Sequence, residues 1–211
     1  MATPSTPYAA TLSIDYPDRN LNRLSSFFRL IIVIPIFIIL ALLIGASTGN
    51  NETRNAGWDN QSIATGMVIL PTLLMILFRQ KYPKWWFDWN LALSRFSARV
   101  SAYLLLMRDE YPSTDEEQAV HLDLVYPDAK TLNRWLPLIK WLLAIPHFIV
   151  LIFLVVAAVA CVIIAWFAIL FTGRYPKGLF DFVLGVSRWS LRVEAYALLM
   201  LTDQYPPFAL T

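Results

Sequence analysis

The chain is poor in the residues that most soluble enzymes rely on. Its 211 residues include one cysteine, two histidines and seven glycines, and only 15% are charged. A single cysteine, Cys161, excludes an internal disulfide, and its place inside an apolar run predicts a buried structural thiol. The glycines form neither a phosphate-binding loop nor a dinucleotide fingerprint. Two histidines, His121 in a short alternating segment and His147 after Pro146, offer no intramembrane pair for haem, and no Cys/His cluster has metal spacing. Neither a cofactor nor a metal is therefore expected, and no catalytic constellation is found. No apolar stretch carries a carboxylate, which argues against a carrier with an acidic proton relay; Glu194 is the nearest candidate. A net charge of +2 gives no reason to expect nucleic acid as a partner. Met1 to Asp18 lacks Lys and Arg, so it is not read as a secretory signal, and the apolar segments beyond it are expected to be retained.

Apolar and aromatic residues are abundant instead. Hydrophobic residues make up 57% of the chain and mean hydropathy is +0.53. Soluble domains carry about 45–50% apolar and about 25% charged residues, so this surplus calls for an apolar solvent. Eight Trp, nine Tyr and 13 Phe fit the same reading, because amphipathic rings collect at membrane interfaces.

The sequence also returns on itself. Tyr16-Pro17-Asp18 recurs as Tyr126-Pro127-Asp128, and Leu21-Asn22-Arg23 as Leu132-Asn133-Arg134. Ile34-Pro35-Ile36-Phe37 is answered by Ile145-Pro146-His147-Phe148, and Lys81-Tyr82-Pro83-Lys84 by Arg174-Tyr175-Pro176-Lys177. Phe87-Asp88, Ser94-Arg95, Arg99-Val100 and Ala102-Tyr103 return as Phe180-Asp181, Ser187-Arg188, Arg192-Val193 and Ala195-Tyr196. The order is kept throughout, so two tandem units are expected: 12–112 and 120–207, after a flexible stretch 1–11 and joined by a linker 113–119.

Each unit opens on a period-two segment, Leu12 to Tyr16 or Val120 to Leu124, which predicts a half-buried strand closed by Pro17 or Pro127. In the first unit Leu30 to Ile44 is apolar, Gly45 to Gln61 is polar, and Ile63 to Phe78 is apolar again. In the second, Trp141 to Phe171 is one apolar run of 31 residues, about 46 Å if helical. That exceeds an upright span of about 20 residues. Alignment with the first unit favours a tight hairpin near Ala157-Ala158 over one long helix. Basic residues flank the ends opposite the polar loop, which holds only Arg54. The positive-inside rule then places both termini in the cytoplasm. Asn51-Glu52-Thr53 matches a glycosylation acceptor with nothing else to support it. The expected fold class is mainly α and polytopic. It has four transmembrane helices as two hairpins, two cytoplasmic interfacial amphipathic helices, a short two-stranded sheet and a pseudo-two-fold axis.

The amphipathic stretches, 85–107 and 178–200, carry the candidate site. On a helix, Asp88, Arg95 and Arg99 share one stripe with Lys84, and Asp181, Arg188 and Arg192 share one with Lys177. Asn90, Ser94, Ser97 and Ser101 form a small polar stripe on the other side, echoed by Ser187 and Ser190. The arginines suit either an internal network with Asp residues of the strands and turns, or a lipid phosphate or acidic partner. The serines could seat another helix closely. His147 is a speculative intramembrane site, since an ionisable group in a span is a functional candidate by default.

Taken together, the Tyr-Pro-Asp, Asn-Arg, Tyr-Pro-Lys and Phe-Asp…Ser-Arg…Arg-Val motifs resemble a bacterial membrane family known as domain of unknown function 4389. The resemblance runs from about Leu12 to Pro206, as two tandem copies. It implies a bacterial inner-membrane protein and supplies no activity and no site residue. The expected function is a non-catalytic membrane scaffold or accessory subunit, associating with membrane lipids and with a membrane-protein partner or a second copy. A lipid-binding or lipid-transport component is the alternative. A small oligomeric channel comes last, with Thr65, Thr72 and Thr172 its thin polar lining.

Overall fold

A computed structural model of the chain describes residues 8–17, 20–44, 71–114 and 116–210. The polar loop Gly45–Gln61, the acceptor at Asn51, Thr65 and the start of the second apolar stretch lie outside the described residues. Among the described residues nine elements follow in order: β1 (Ala10–Ile14), α1 (Arg23–Ile32), α2 (Ile34–Ile44), α3 (71–79), α4 (Lys84–Leu104), β2 (Val120–Leu124), α5 (Pro137–Leu143), α6 (Ile145–Thr172) and α7 (Lys177–Ala197).

The period-two segments form strands, as expected, with the first beginning two residues earlier. β1 and β2 pair antiparallel with Leu12 opposite Leu122, Ala10 opposite Leu124 and Ile14 opposite Val120. Ala10, Ile14, Val120, Leu122 and Leu124 face inward, while Thr11, His121 and Asp123 alternate outward. A lone two-stranded sheet is marginal in water and needs a packed face. Helices supply it crosswise: α4 packs on β2, and α7 packs on β1. Ile14 and Val120 share a core with Phe180, Val183 and Leu184 of α7 and with Ala158, Ala165 and Ile169 of α6.

Helix α6 packs against α7 through His147, Leu151, Ala158, Ala165 and Ile169, spaced by four and seven residues on one stripe. Its other side is open and apolar, with Ile152 and Val156 more than 60% exposed and Phe153 72% exposed. A soluble surface does not carry large apolar side chains at that density. At 28 residues, with an 18-residue stretch of mean hydropathy 3.4, α6 is long and apolar enough to cross a membrane.

Two helix breaks share a cause. Val33 separates α1 from α2 two residues before Pro35, and Ala144 separates α5 from α6 two residues before Pro146. Proline lacks the N–H of the helical ladder and crowds the carbonyl four residues back, so the axis turns. Between Arg23–Arg29 and Ile34–Leu40 the turn is 52°.

These observations correct the expected four-span architecture. Among the described residues α6 alone qualifies as a span, or two if the bent α1–α2 pair is counted as one. The tight hairpin near Ala157-Ala158 is absent because the helix runs through it without a break. Alanine is the best helix former, and nothing around it supplies a turn. The amphipathic stretches are not free interfacial helices either. α7 buries 12 of its 21 residues, because apolar side chains lie on two of its faces and meet both β1 and α6. Cys161 is half-buried beside the core rather than fully enclosed.

Candidate functional site

The arginines of both stripes bond to backbone carbonyls. Arg95 Nε donates to the Leu122 carbonyl at 2.9 Å, and Arg188 Nε donates to the Leu12 carbonyl at 2.8 Å. These are the two residues that face each other at the centre of the sheet. Arg95 also meets Asp123 at 2.6 Å. One turn on, Arg99 donates to the Ser113 carbonyl at 2.8 Å and Arg192 to the Ala209 carbonyl at 2.5 Å, each fixing the chain that follows its helix. The guanidinium fork suits this work because it spreads several donors in one plane. Asp88 and Asp181 are exposed, apart from the arginines, and form no ion pair among the described residues. The structure therefore brings the four arginines to the strands and tails, and leaves the two aspartates out.

Stronger charge burial sits where the sequence reading placed no site. Lys140 of α5 is wholly buried and meets Asp203 at 2.8 Å, as an ion pair rather than an aligned hydrogen bond. Its ammonium donates to the Thr202 carbonyl at 2.7 Å and lies 5.2 Å from the centre of the Tyr196 ring. Burial pulls the Lys140 pKa down and Asp203 opposes the pull. In the first half Arg29 of α1 is buried and paired with Asp109. It donates to the Tyr103 and Arg108 carbonyls at 2.8 and 3.0 Å, with its guanidinium 4.4 Å above the Tyr103 ring. Both aspartates also accept a backbone N–H, from Asn22 and from Asn133, each at 2.6 Å. A sequence signal existed: Arg29 and Lys140 each precede the helix-breaking proline by six residues.

His147 belongs to an aromatic cluster. It is fully buried, its Nδ1 accepts from the Trp189 indole N–H at 3.1 Å, and its ring stacks on Phe208 with centroids 4.0 Å apart. An imidazole whose Nδ1 accepts a bond is neutral, so this histidine secures the C-terminal tail as packing. His121 is 55% exposed, beside Asp15 at 3.4 Å. The threonines do not line a pore among the described residues: Thr72 accepts from Trp86 at 2.8 Å, and Thr172 donates to its own helix at Ala168.

The small polar stripes, by contrast, come together. A groove of about 270 Å³ runs between α4 and α7, beneath Leu12 and Leu122 of the sheet and beside Val155 and Ala158 of α6. Ser94, Ser97 and Ser101 line it from α4, and Ser187, Ser190 and Glu194 from α7. Glu194 is exposed and lines this groove, and neighbouring protein atoms raise its pKa by desolvation alone. No ion pair or hydrogen bond holds that carboxyl among the described residues. A hydroxyl-lined cleft with one uncommitted acid can accept a donor or a cation. A second cavity, of about 410 Å³, lies between α1 and α6, with Ser26, Arg29 and Trp166 in its wall.

Comparison with known proteins is sparing. No curated protein and no solved structure matches the chain. The expectation of two tandem copies of one family is corrected to a single match, confined to the second half and beginning after β2. Residues 135–209, which hold α5, α6, α7 and the tail behind them, match the family described as Domain of unknown function (DUF4389).

Proposed function

We propose that this chain is a non-catalytic scaffold or accessory subunit of the bacterial inner membrane, with both termini cytoplasmic. It works by holding a membrane helix of a partner protein in the groove between α4 and α7. One observation carries the reading: two helices present serines to the same cleft, and the acid among them has no partner. Small side chains let another backbone approach closely, and hydroxyls bond across such an interface. Glu194 favours a partner helix that brings a lysine, an arginine or a hydroxyl donor, because a helix laid over it without one would bury the acid unpaired.

The two halves would act as a pseudo-two-fold frame for the groove. Support comes from the recurring motifs and from the matched pairs Arg95/Arg188, Arg99/Arg192 and Arg29/Lys140. The open apolar side of α6 supports membrane residence. The alternative, lipid headgroups on the arginine stripes, loses its residues to backbone carbonyls.

The test is purification of the whole chain from its native membrane in mild detergent, beside the double variant Ser97→Leu/Ser190→Leu. A membrane protein should co-purify in stoichiometric amount with the parent and drop at least five-fold with the variant, at unchanged circular dichroism. A parent that elutes alone, or a partner retained equally by the variant, overturns the proposal.

A further inference from the structure

The stripe arginines are taken up by backbone, but four other cations are not. Arg23, Lys81, Arg134 and Arg174 are all exposed, and none joins an ion pair among the described residues. They gather at two corners. At the first, Arg174 Nε donates to Asn20 Oδ1 at 3.2 Å, and the Leu21 N–H donates to the Gly173 carbonyl at 2.8 Å. Arg23 Nε lies 3.7 Å from where a Cβ on Gly173 would stand, so Arg23 and Arg174 flank the same residue. At the second, an Arg134 terminal nitrogen donates to Gln80 Oε1 at 3.0 Å, and Lys81 is the next residue in the chain.

Gly173 and Gln80 hold the same post. Each ends an apolar helix in the left-handed conformation, at φ 76° and 44°, with its N–H bonded four residues back to Ile169 or Ile76. The recurring motifs thus build one cationic corner twice, each time joining the first half of the chain to the second. A helix C-terminus attracts cations, but it carries only about half a negative charge, less than two cations supply. The carboxylates bonded to the adjacent residues Asn22 and Asn133 are Asp109 and Asp203, already paired with Arg29 and Lys140.

Large apolar side chains stand uncovered beside both corners. Leu24 is 71% and Phe171 77% exposed at the first, and Trp135 is 66% and Phe78 73% exposed at the second. An occupant must therefore bring negative charge to the corner and apolar bulk alongside it.

We propose that each corner binds one anionic phospholipid. Its phosphate sits between Arg23 and Arg174 at the first corner and between Arg134 and Lys81 at the second, with the acyl chains against the exposed apolar residues. Guanidinium donors match phosphate oxygens in pairs, and basic sites at a membrane boundary select anionic heads. The inference rests on the membrane residence proposed above. Carbonate extraction of native membranes tests that residence by itself, so a chain that stays in the membrane yet selects no lipid fails here alone.

The experiment offers the full chain, purified in mild detergent, equal amounts of phosphatidylglycerol and phosphatidylcholine with identical acyl chains, and weighs it by native mass spectrometry. Two phosphatidylglycerols should be retained, favoured about ten-fold over phosphatidylcholine. Arg23→Gln/Arg174→Gln and Arg134→Gln/Lys81→Gln should each leave one. Glycerophosphoglycerol, the same head without chains, should displace neither lipid in large excess. Equal retention of the two lipids by the parent, a comparison that needs no variant to fold, overturns the proposal. So does an unchanged lipid count in both double variants. Displacement by the head alone would show a site for free phosphodiesters and overturn the lipid as occupant.

Discussion

At the scale of single residues, buried charge sets the sharpest expectations. Lys140 is enclosed with Asp203, and removing one member strands the other in a medium that cannot solvate it. Asp203→Asn should lower stability by about 3–5 kcal/mol, read as a shift in the denaturation midpoint followed by tryptophan fluorescence. Lys140→Met removes the charge with its partner left half-exposed, and should cost clearly less. An equal loss from both would mean that the pair acts through packing alone. Glu194 makes a second case, with the opposite sign from a salt-bridged acid. Its folded pKa lies above the unfolded value because of desolvation. The folded state thus holds the proton more tightly, and stability falls as pH rises from the ordinary carboxyl range through that raised value. Glu194→Gln should flatten this decline and leave the variant more stable than the parent at neutral pH. Identical pH–stability profiles would show the carboxyl to be solvated. The stripe of Arg95 and Arg99 was legible from helical spacing, but its partners were not, because no side-chain pattern advertises a backbone carbonyl.

At the scale of elements, the sequence was clearest where its period was clean. Alternation gave both strands to within two residues, and Pro127 closed the second where expected. The stretches 85–107 and 178–200 emerge as α4 and α7 with small shifts at the ends. The long run to Phe171 misled, because hydropathy measures how much is apolar and says nothing of whether the chain turns back. The C-terminal tail was equally hidden. Gly185 of α7 has the Leu210 carbonyl oxygen 2.8 Å and the Leu210 Cβ 2.9 Å from where a Cβ would stand. The tail occupies that space, and Arg192 secures it at Ala209. Gly185→Ala should therefore lift the tail at a cost of about 1–3 kcal/mol. Limited proteolysis checks it: cleavage after 200 should quicken several-fold, while cuts within α7 stay unchanged. An unaltered digestion pattern would mean that the tail adjusts without leaving.

At the scale of the whole molecule, the chain is arranged in three levels: a small sheet, the two long amphipathic helices, and an apolar layer led by α6. The charge poverty and aromatic wealth of the composition anticipated the outer layer. The groove was half legible, since serine spacing marked both of its walls, but nothing in a linear pattern says that two such walls face each other. The crosswise packing of strands on helices has a further meaning in time. β1 is synthesised first, yet the helix it rests on, α7, begins at Lys177, more than 160 residues later. Even after β2 has been made to pair with it, that first strand waits for its floor until α7 follows. The nascent protein therefore cannot complete its sheet-bearing level before α7 is made. It closes once, when the last helix arrives, and the two halves become folded in the same event.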